Sequence, residues 1–584
     1  MPNLLAMSFE GELAPSFDLR CLREGEVAPD GWGIGYYPGG EPSATVLKEP
    51  APPYGSIRSE LVKAWEHLES SVFLLHIRRA TWGALSDANT QPFQRPWGRR
   101  DWLFAHAGSL NHRLQPRPGP VFEPVGSTDT ELIFCELMNR MAERGWKSLG
   151  EADPRTLLDW LGLINEHGNL TCVLTDGHDL AIYSDRVAAG IYLCEVLPPY
   201  ERLTFEDGEL LVDLGKRGVK SRKGVVVSSQ PLEVDGMEKD WRAVLPGRLV
   251  LLRQGAVREV VEPRDAPVEQ RFLAGTLRRE MPRPERAEVR RYRVLHRTVY
   301  RYQRPVERSS HLFRLMPADD RLQKLLAYEL SISVDGTHRE FDDVFGNRAR
   351  RLEVDTPFSE LSITADSRVE VLDTDPLSYR PLRERAQIPV VWMPWHQQVL
   401  QPFLLPPELA ESELRELSDY AMSFAVRNDF DLIDTLLDLN HSIFKEYDYT
   451  PGVTTVQTTP FEVYASRRGV CQDFTNLFMC LARLLGVPAR YVCGYIFTGQ
   501  KHANKRQAEA SHAWAQVYLP EVGWKGFDPT NGILTQTGHV RVAVGRTYRD
   551  ATPTSGTIYV GGGGEHLEVN VTVECEDRAL ATAV

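Results

Sequence analysis

The segment PRDAPVEQRFLAGTLRREMPRPERAE, from Pro263 to Glu288, carries five prolines or glycines and many charges, with no sustained apolar periodicity. A stretch of this kind cannot bury enough apolar surface to offset the entropy of ordering it, so it reads as a linker. The chain must then fold as separate bodies on either side of it. Its length agrees, because 584 residues exceed what one hydrophobic core organises when domains run to about 150 residues. Eleven arginines lie between Arg278 and Arg308, but acids are interleaved with them, so the run is read as solvated chain rather than a basic docking patch.

The two sides carry different patterns. From Met1 to about Glu262, strand-like runs such as SVFLLHIRRA, NLTCVLTDGHDLAIYSD and GVVVSSQPL alternate with the helical run SLGEADPRTLLDWLGLINEH, which predicts a mixed α/β body. Beyond the linker, RYRVLHRTVYRYQRPV, LAYELSISV and LSITADSRVEVL alternate apolar and polar residues. Residues 289 to about 375 therefore predict a half-buried antiparallel sheet. The stretch Pro389 to Pro407 is too rich in proline for a helix. Helical patterns return near Glu411 to Val426 and Leu432 to Tyr447, and the last part, from Val470, reads as one helix followed by strands. The glycine run Gly561 to Gly564 lacks a following Lys-Ser or Lys-Thr and is no phosphate loop.

Composition removes several classes of function. With 42% hydrophobic and 25% charged residues the chain is neither disordered nor fibrous. A net charge of -13 repels phosphate backbones, so no nucleic-acid partner is expected. No run approaches the length of a membrane span, and the start MPNLLAMSFEGE places acids where a secretory signal needs bases; no membrane partner and a cytoplasmic location are expected. Eight cysteines with no C-x-x-C pair argue against a disulfide framework or a structural zinc site. No metal and no cofactor are expected, and a special cysteine here is a nucleophile.

One cysteine stands out by its local setting. In SRRGVCQDFTNLFMCLARLLGVPAR, the residues Phe474, Leu477, Phe478, Leu481, Leu484 and Leu485 fall on one helical face, and Gly486 and Pro488 end the helix. Cys471 then sits in the first turn, where unpaired amides and the positive end of the helix dipole favour a thiolate. Cys480 faces away and reads as core. Downstream, SHAWAQVYLPEVGWKGFDPTNG reads as a hairpin with His512 near its start and Asp528 near its end. A thiolate nucleophile needs an imidazole to stabilise it and to carry protons, and the imidazole needs a carboxylate to fix its tautomer. Pairing register is not readable from sequence, so contact among the three stays open at this point.

The strings G-V-C-Q-D-F, H-A-W-A-Q-V-Y-L-P and G-W-K-G-F-D-P-T-N closely resemble the core of the transglutaminase-like superfamily. That resemblance implies a papain-like fold with Cys471 as nucleophile, His512 as general base and acid, and Asp528 orienting it. Tyr292 to Tyr302 and the string Asp343 to Asn347 are similar to the β-rich domain that precedes this core in bacterial members. The superfamily implies amide chemistry, with a peptide or isopeptide as substrate. The tryptophans Trp392, Trp395, Trp514 and Trp524 could wall an acceptor channel or be core residues; nothing else marks a channel, so hydrolysis rather than amine transfer is expected.

In the first half, LLAMS at Leu4, DGWGIGYY at Asp30, LLHIRRATWG at Leu74, NTQPF at Asn89, AHAG at Ala105 and GSTDTE at Gly126 resemble the class II glutamine amidotransferases. The resemblance implies a four-layer αββα sandwich of the N-terminal-nucleophile type. In it Arg78 would bind the substrate carboxylate, Asp129 its α-amine, and Thr81 and Gly108 would shape the pocket. Two positions depart from the family. Pro2 stands where the nucleophilic cysteine belongs, and Ala107 replaces the Asn of the oxyanion motif H-N-G. Losing one oxyanion donor costs about 2.7 to 4 kcal/mol in the transition state, and losing the nucleophile removes the covalent route. No glutaminase activity is expected. Arg78 and Asp129 either hold a glutamine or glutamyl ligand or persist as structural residues.

These readings make a multidomain α+β protein: an amidotransferase-like domain at 1–262, a linker at 263–288, a β-rich domain at 289–385, and a papain-like transglutaminase core with C-terminal strands at 386–584. The expected function is thiol-dependent hydrolysis of peptide or isopeptide amides. The alternatives are an active glutamine amidotransferase or transglutaminase, and a non-catalytic peptide-binding scaffold.

Overall fold

The computed structural model describes residues 3–19, 29–54, 56–64, 68–79, 83–111, 114, 119–187, 190–207, 210–215, 222–235, 240–264, 289–372, 386–497, 511–520 and 522–576. The chain is multidomain α+β, dominated by sheet, and divides into two compact units, Met1–Arg279 and Glu280–Val584. All but the first two positions of the expected linker lie outside the described residues.

In the first unit, strand Leu4–Leu13 lies between Ser70–Arg78 and Gly224–Ser228 in a seven-stranded sheet, all three antiparallel. Its first seven residues are buried without alternation, which requires cover on both faces. Leu4, Ala6, Val72 and Leu74 pack with Leu103, Ala105, Val173 and Ile182 of a six-stranded sheet, while Leu5, Met7, Phe73 and Leu75 point the other way, toward Phe17, Val62 and Phe205. Two helices cover the outer face of the six-stranded sheet. Asp129–Arg144 starts where the Thr128 hydroxyl accepts from the Glu131 amide, and Pro154–Asn165 starts with Asp153 capping Thr156. Ile133, Leu137, Leu157 and Leu161 bury their apolar stripes against Phe104, Leu174 and Tyr183.

In the second unit, the predicted antiparallel sheet is built on one long strand, Val289–Phe313, paired along one edge with Phe358–Leu372. The other edge is taken by Thr554–Gly561 and Glu565–Cys575 from the far end of the chain, a pairing with no local sequence signature. The remainder is a helical cluster on a five-stranded sheet whose order is Ile533–Leu534, Gly523–Asp528, His512–Leu519, Ala489–Ile496 and His539–Gly545. The helix Cys471–Leu484 lies between that sheet and the helices Glu411–Arg427, Leu432–Glu446 and Pro460–Ser466. It is buried on nearly all sides rather than on one face, because Met479, Cys480 and Ala482 are enclosed as well as Phe474, Leu477, Phe478 and Leu481.

The proline-rich stretch corrects the sequence reading, since Pro394–Leu404 is a helix. Pro394 occupies the first turn, where a missing N–H costs nothing, and Pro402 lies near the end, so only one hydrogen bond of the ladder is lost. Among the described residues, no helix is long and apolar enough to cross a membrane.

Candidate active site

Three separate elements deliver the three residues of the C-terminal half. Cys471 opens its helix and is half-buried. The N-cap is held by Asp473, whose Oδ2 accepts from the Val470 amide at 2.8 Å and from the Thr454 hydroxyl at 2.6 Å. His512 opens the strand His512–Leu519, and Asp528 closes its antiparallel partner Gly523–Asp528, in the register Ala515 to Phe527 and Leu519 to Gly523. This is the predicted hairpin, and it brings the two side chains together: His512 Nε2 lies 2.9 Å from Asp528 Oδ2. Cys471 lies close enough to the same imidazole to favour its charged form. With Nε2 committed to Asp528, Nδ1 is the nitrogen left for sulfur.

Burial would favour neutral forms here, since His512 and Asp528 are 2% and 0% exposed. For His512 that penalty is outweighed by the charge and hydrogen bond of Asp528 and then by Cys471, and its pKa is pushed up to about 10. For Asp528 the burial penalty is outweighed by His512 and His539, and its carboxyl is held well below the ordinary range. An imidazolium fixed between a carboxylate and a thiol can stabilise a thiolate and give a proton to a leaving amine. Cys480, by contrast, is buried at 1% exposure, and burial pushes its thiol up to about 12.

Two neighbours of Asp528 carry no motif of their own. Asn531 donates from Nδ2 to Oδ2 at 2.7 Å, and its backbone amide and that of Thr530 donate to Oδ1. His539 Nε2 lies 3.1 Å from the same Oδ2. Asx-turn chemistry in D-P-T-N could have pointed to Asn531. For His539, only the alternation of HVRVAV was legible, which marks a strand and not a contact. The donor atoms of His512, Asp528 and His539 lie within 4.8 Å of one another, a spacing a metal could use. However, the Gln536 amide donates to His539 Nδ1 at 3.4 Å, which places that ring's proton on Nε2, where a metal would need the lone pair.

Of the four tryptophans, only Trp514 packs against the site, its ring 5.9 Å from that of His512 and 5.2 Å from that of His539. Trp392 and Trp524 join Tyr518 and Phe403 in a separate aromatic row, and Trp395 is exposed.

In the N-terminal half the quoted strings are tied into one hydrogen-bond network. Arg78 donates to the Gly83 and Ala84 carbonyls, Asn89 Nδ2 donates to Ala84, and Asn89 Oδ1 accepts from the Ser127 amide. Gln91 exchanges hydrogen bonds with the His106 backbone and reaches the Thr130 hydroxyl. Asp129 accepts from the Leu110 and Thr130 amides. Gly108 has φ 151°, and a Cβ there would lie 2.3 Å from the Asn169 carbonyl oxygen, so glycine is required by packing. Thr81 and Pro2 lie outside the described residues.

Two kinds of fold thus share one chain: a double-sheet body joined by that network, and a thiol site in which a helix-start cysteine meets a His–Asp hairpin. Family comparison gives the same division. Residues 1–272 match the model of the glutamine amidotransferases class-II, residues 292–370 the bacterial transglutaminase-like N-terminal region, and residues 421–529 the transglutaminase-like superfamily. The chain thus carries a region similar to the class-II glutamine amidotransferases followed by regions similar to the bacterial transglutaminase-like N-terminal region and to the transglutaminase-like superfamily. It is 34% identical over 298 residues to an uncharacterized protein of Mycobacterium tuberculosis, covering 48% of this chain and 92% of that one. It is 28% identical over 253 residues to the "Putative glutamine amidotransferase YafJ" of Escherichia coli, covering 42% and 95%. The crystal structure of a "Putative Cysteine Protease" from Cytophaga hutchinsonii is similar at 23% identity and TM-score 0.41, covering 50% and 92%.

Proposed function

We propose that the second half is a cytoplasmic thiol hydrolase of peptide or isopeptide amides and that the first half is an amidotransferase-like domain without glutaminase activity. The observation that carries the first part is the His512 ring, which bonds Asp528 at 2.9 Å and whose charged form is favoured by Asp528 and by the helix-start Cys471. In this reading the Cys471 thiolate attacks the amide carbonyl, the C–N bond breaks, and the leaving nitrogen takes the His512 proton. The resulting thioester is attacked by water, whose proton returns to His512, and the acid leaves as the thiolate is restored. First-turn amides of the Cys471 helix, unused by the helix itself, suit the oxyanion.

For the first half, the two packed sheets with Asp129–Arg144 and Pro154–Asn165 on one side support three layers of the αββα reading. The other side departs from it, being covered by a four-stranded sheet of Ser16–Leu19, Thr204–Glu206, Leu210–Asp213 and Glu233–Asp235 with the single helix Ile57–Ala64. Pro2 and Ala107 support loss of catalysis. A glutamine or glutamyl group is the chemistry Arg78 and Asp129 would hold. Incubating the protein with glutamine-containing peptides, isopeptides and a labelled primary amine tests the hydrolase reading. Amide cleavage is expected, and stable amine incorporation exceeding hydrolysis would make it a transglutaminase.

A further inference from the structure

His539 has no task in that mechanism, yet it is 5% exposed and turns its ring toward the reacting residues. It begins the strand His539–Gly545, and two strands, His512–Leu519 and Ala489–Ile496, separate it from the strand that ends at Asp528. The side chain nevertheless comes to 3.1 Å from Asp528 Oδ2. Trp514 fills the interval, and its indole lies over Gly494, where a Cβ would come within 2.5 Å of the ring. The same Cβ would meet the Val540 carbonyl oxygen at 2.1 Å, so a larger residue there would disturb both the strand beside His539 and the indole that packs on the two histidines. His539 is also fixed in tautomer, because its Nδ1 accepts from the Gln536 amide and its proton is therefore on Nε2, directed at the carboxylate.

We propose that His539 is a positioning residue of the thiol site: a neutral imidazole that donates to Asp528 and holds the carboxylate in the orientation in which it receives His512. The charged groups about it are Asp528 and the His512 imidazolium; Lys525 and Arg541 line the adjoining cleft, and Arg541 is paired with Asp320 at 2.7 Å. Asp528 Oδ2 carries three donors, and removing the one from His539 leaves the Asn531 side chain alone beside His512 on that oxygen, with the Thr530 and Asn531 backbone amides holding Oδ1. The His512–Asp528 contact then loosens, the imidazolium is less stabilised, and with it the thiolate. This rests on the Cys471–His512–Asp528 reading.

The test needs no substrate. The full chain is alkylated with iodoacetamide from about pH 5 to about pH 10, and modification is followed at Cys471 by mass spectrometry. The wild type is expected to react readily near neutral pH. In His539→Ala, reactivity near neutral pH is expected to fall about ten- to hundredfold, the scale of one hydrogen bond to a charged group, with the profile moving toward that of an ordinary thiol. His539→Gln, which can still donate an N–H, should recover most of the difference. An unshifted profile in a folded His539→Ala protein overturns the role of His539. So does a uniform loss at every pH accompanied by a lower melting temperature. A wild-type Cys471 that reacts only as an ordinary thiol overturns the triad reading, and this inference with it.

Discussion

The two halves meet the same problem, buried polar side chains, in opposite ways. Around Asp528 the charges are kept: carboxylate, imidazolium and thiol are matched one to another, so that burial raises their mutual dependence instead of neutralising them. Around His76 and His106 in the first half the charges are removed. Burial, with each histidine close to the other, pushes His76 down to about 3, and burial lowers His106 too, its nitrogens bonded to the Thr130 hydroxyl and the Asn169 carbonyl. Polar groups kept neutral by burial hold a fold; charged groups bonded to one another beside a half-buried sulfur can do chemistry. The comparison teaches that retention of motif residues, which both halves share, separates function from scaffold less well than the charge state the surroundings impose.

The largest expected effects would break this contrast if they failed. Cys471→Ala should abolish amide cleavage, whereas Cys480→Ala should leave it largely intact; activity surviving the first change would end the triad assignment. His512→Ala should lower turnover about 10² to 10⁴-fold, with Asp528→Asn milder, measured on the same substrate. On the other side, glutamine should yield no glutamate above background. Steady glutamate production that persists in Cys471→Ala would show that the first half is itself an enzyme.

A smaller effect separates the halves by pH. His512 has a folded pKa raised to about 10, above the unfolded value of about 6.5, so its contribution is fully present below 6.5 and is lost as pH rises through about 10. His76 has a folded pKa lowered to about 3, so the unfolded state binds the extra proton and the first half loses stability as pH falls from about 6.5 toward 3. The slope for each is at most about 1.4 kcal/mol per pH unit. Burial also pushes His296 and His311 of the second unit down to about 4, so peptide-resolved thermal unfolding should show acid weakening both units and base weakening the second through His512; a first unit that weakens equally in base would remove the distinction.

The smallest effect concerns the remnant pocket. Glutamine at about a hundred times its dissociation constant should stabilise the first unit by about 2.7 kcal/mol, and Arg78→Ala should remove that gain. An equal shift in the variant would leave Arg78 as a structural residue that serves the Gly83 and Ala84 carbonyls.

By itself the sequence determined the parts whose information is local. The helix that begins at Cys471 and stops before Gly486 follows from apolar spacing and a C-terminal glycine, and the hairpin that joins His512 to Asp528 follows from alternation and a short turn. The helix Pro394–Leu404 was missed because proline counts outweighed where the prolines stand within a turn. Tertiary structure alone decided the rest: that Thr554–Gly561 and Glu565–Cys575 complete the sheet begun by Val289–Phe313, and that His539 crosses two strands to reach Asp528. Such contacts join segments far apart in the chain, and each residue in them satisfies its own strand's periodicity equally well with or without the partner. Only the packing that brings the segments together, down to the missing Cβ of Gly494 beneath Trp514, selects the contact.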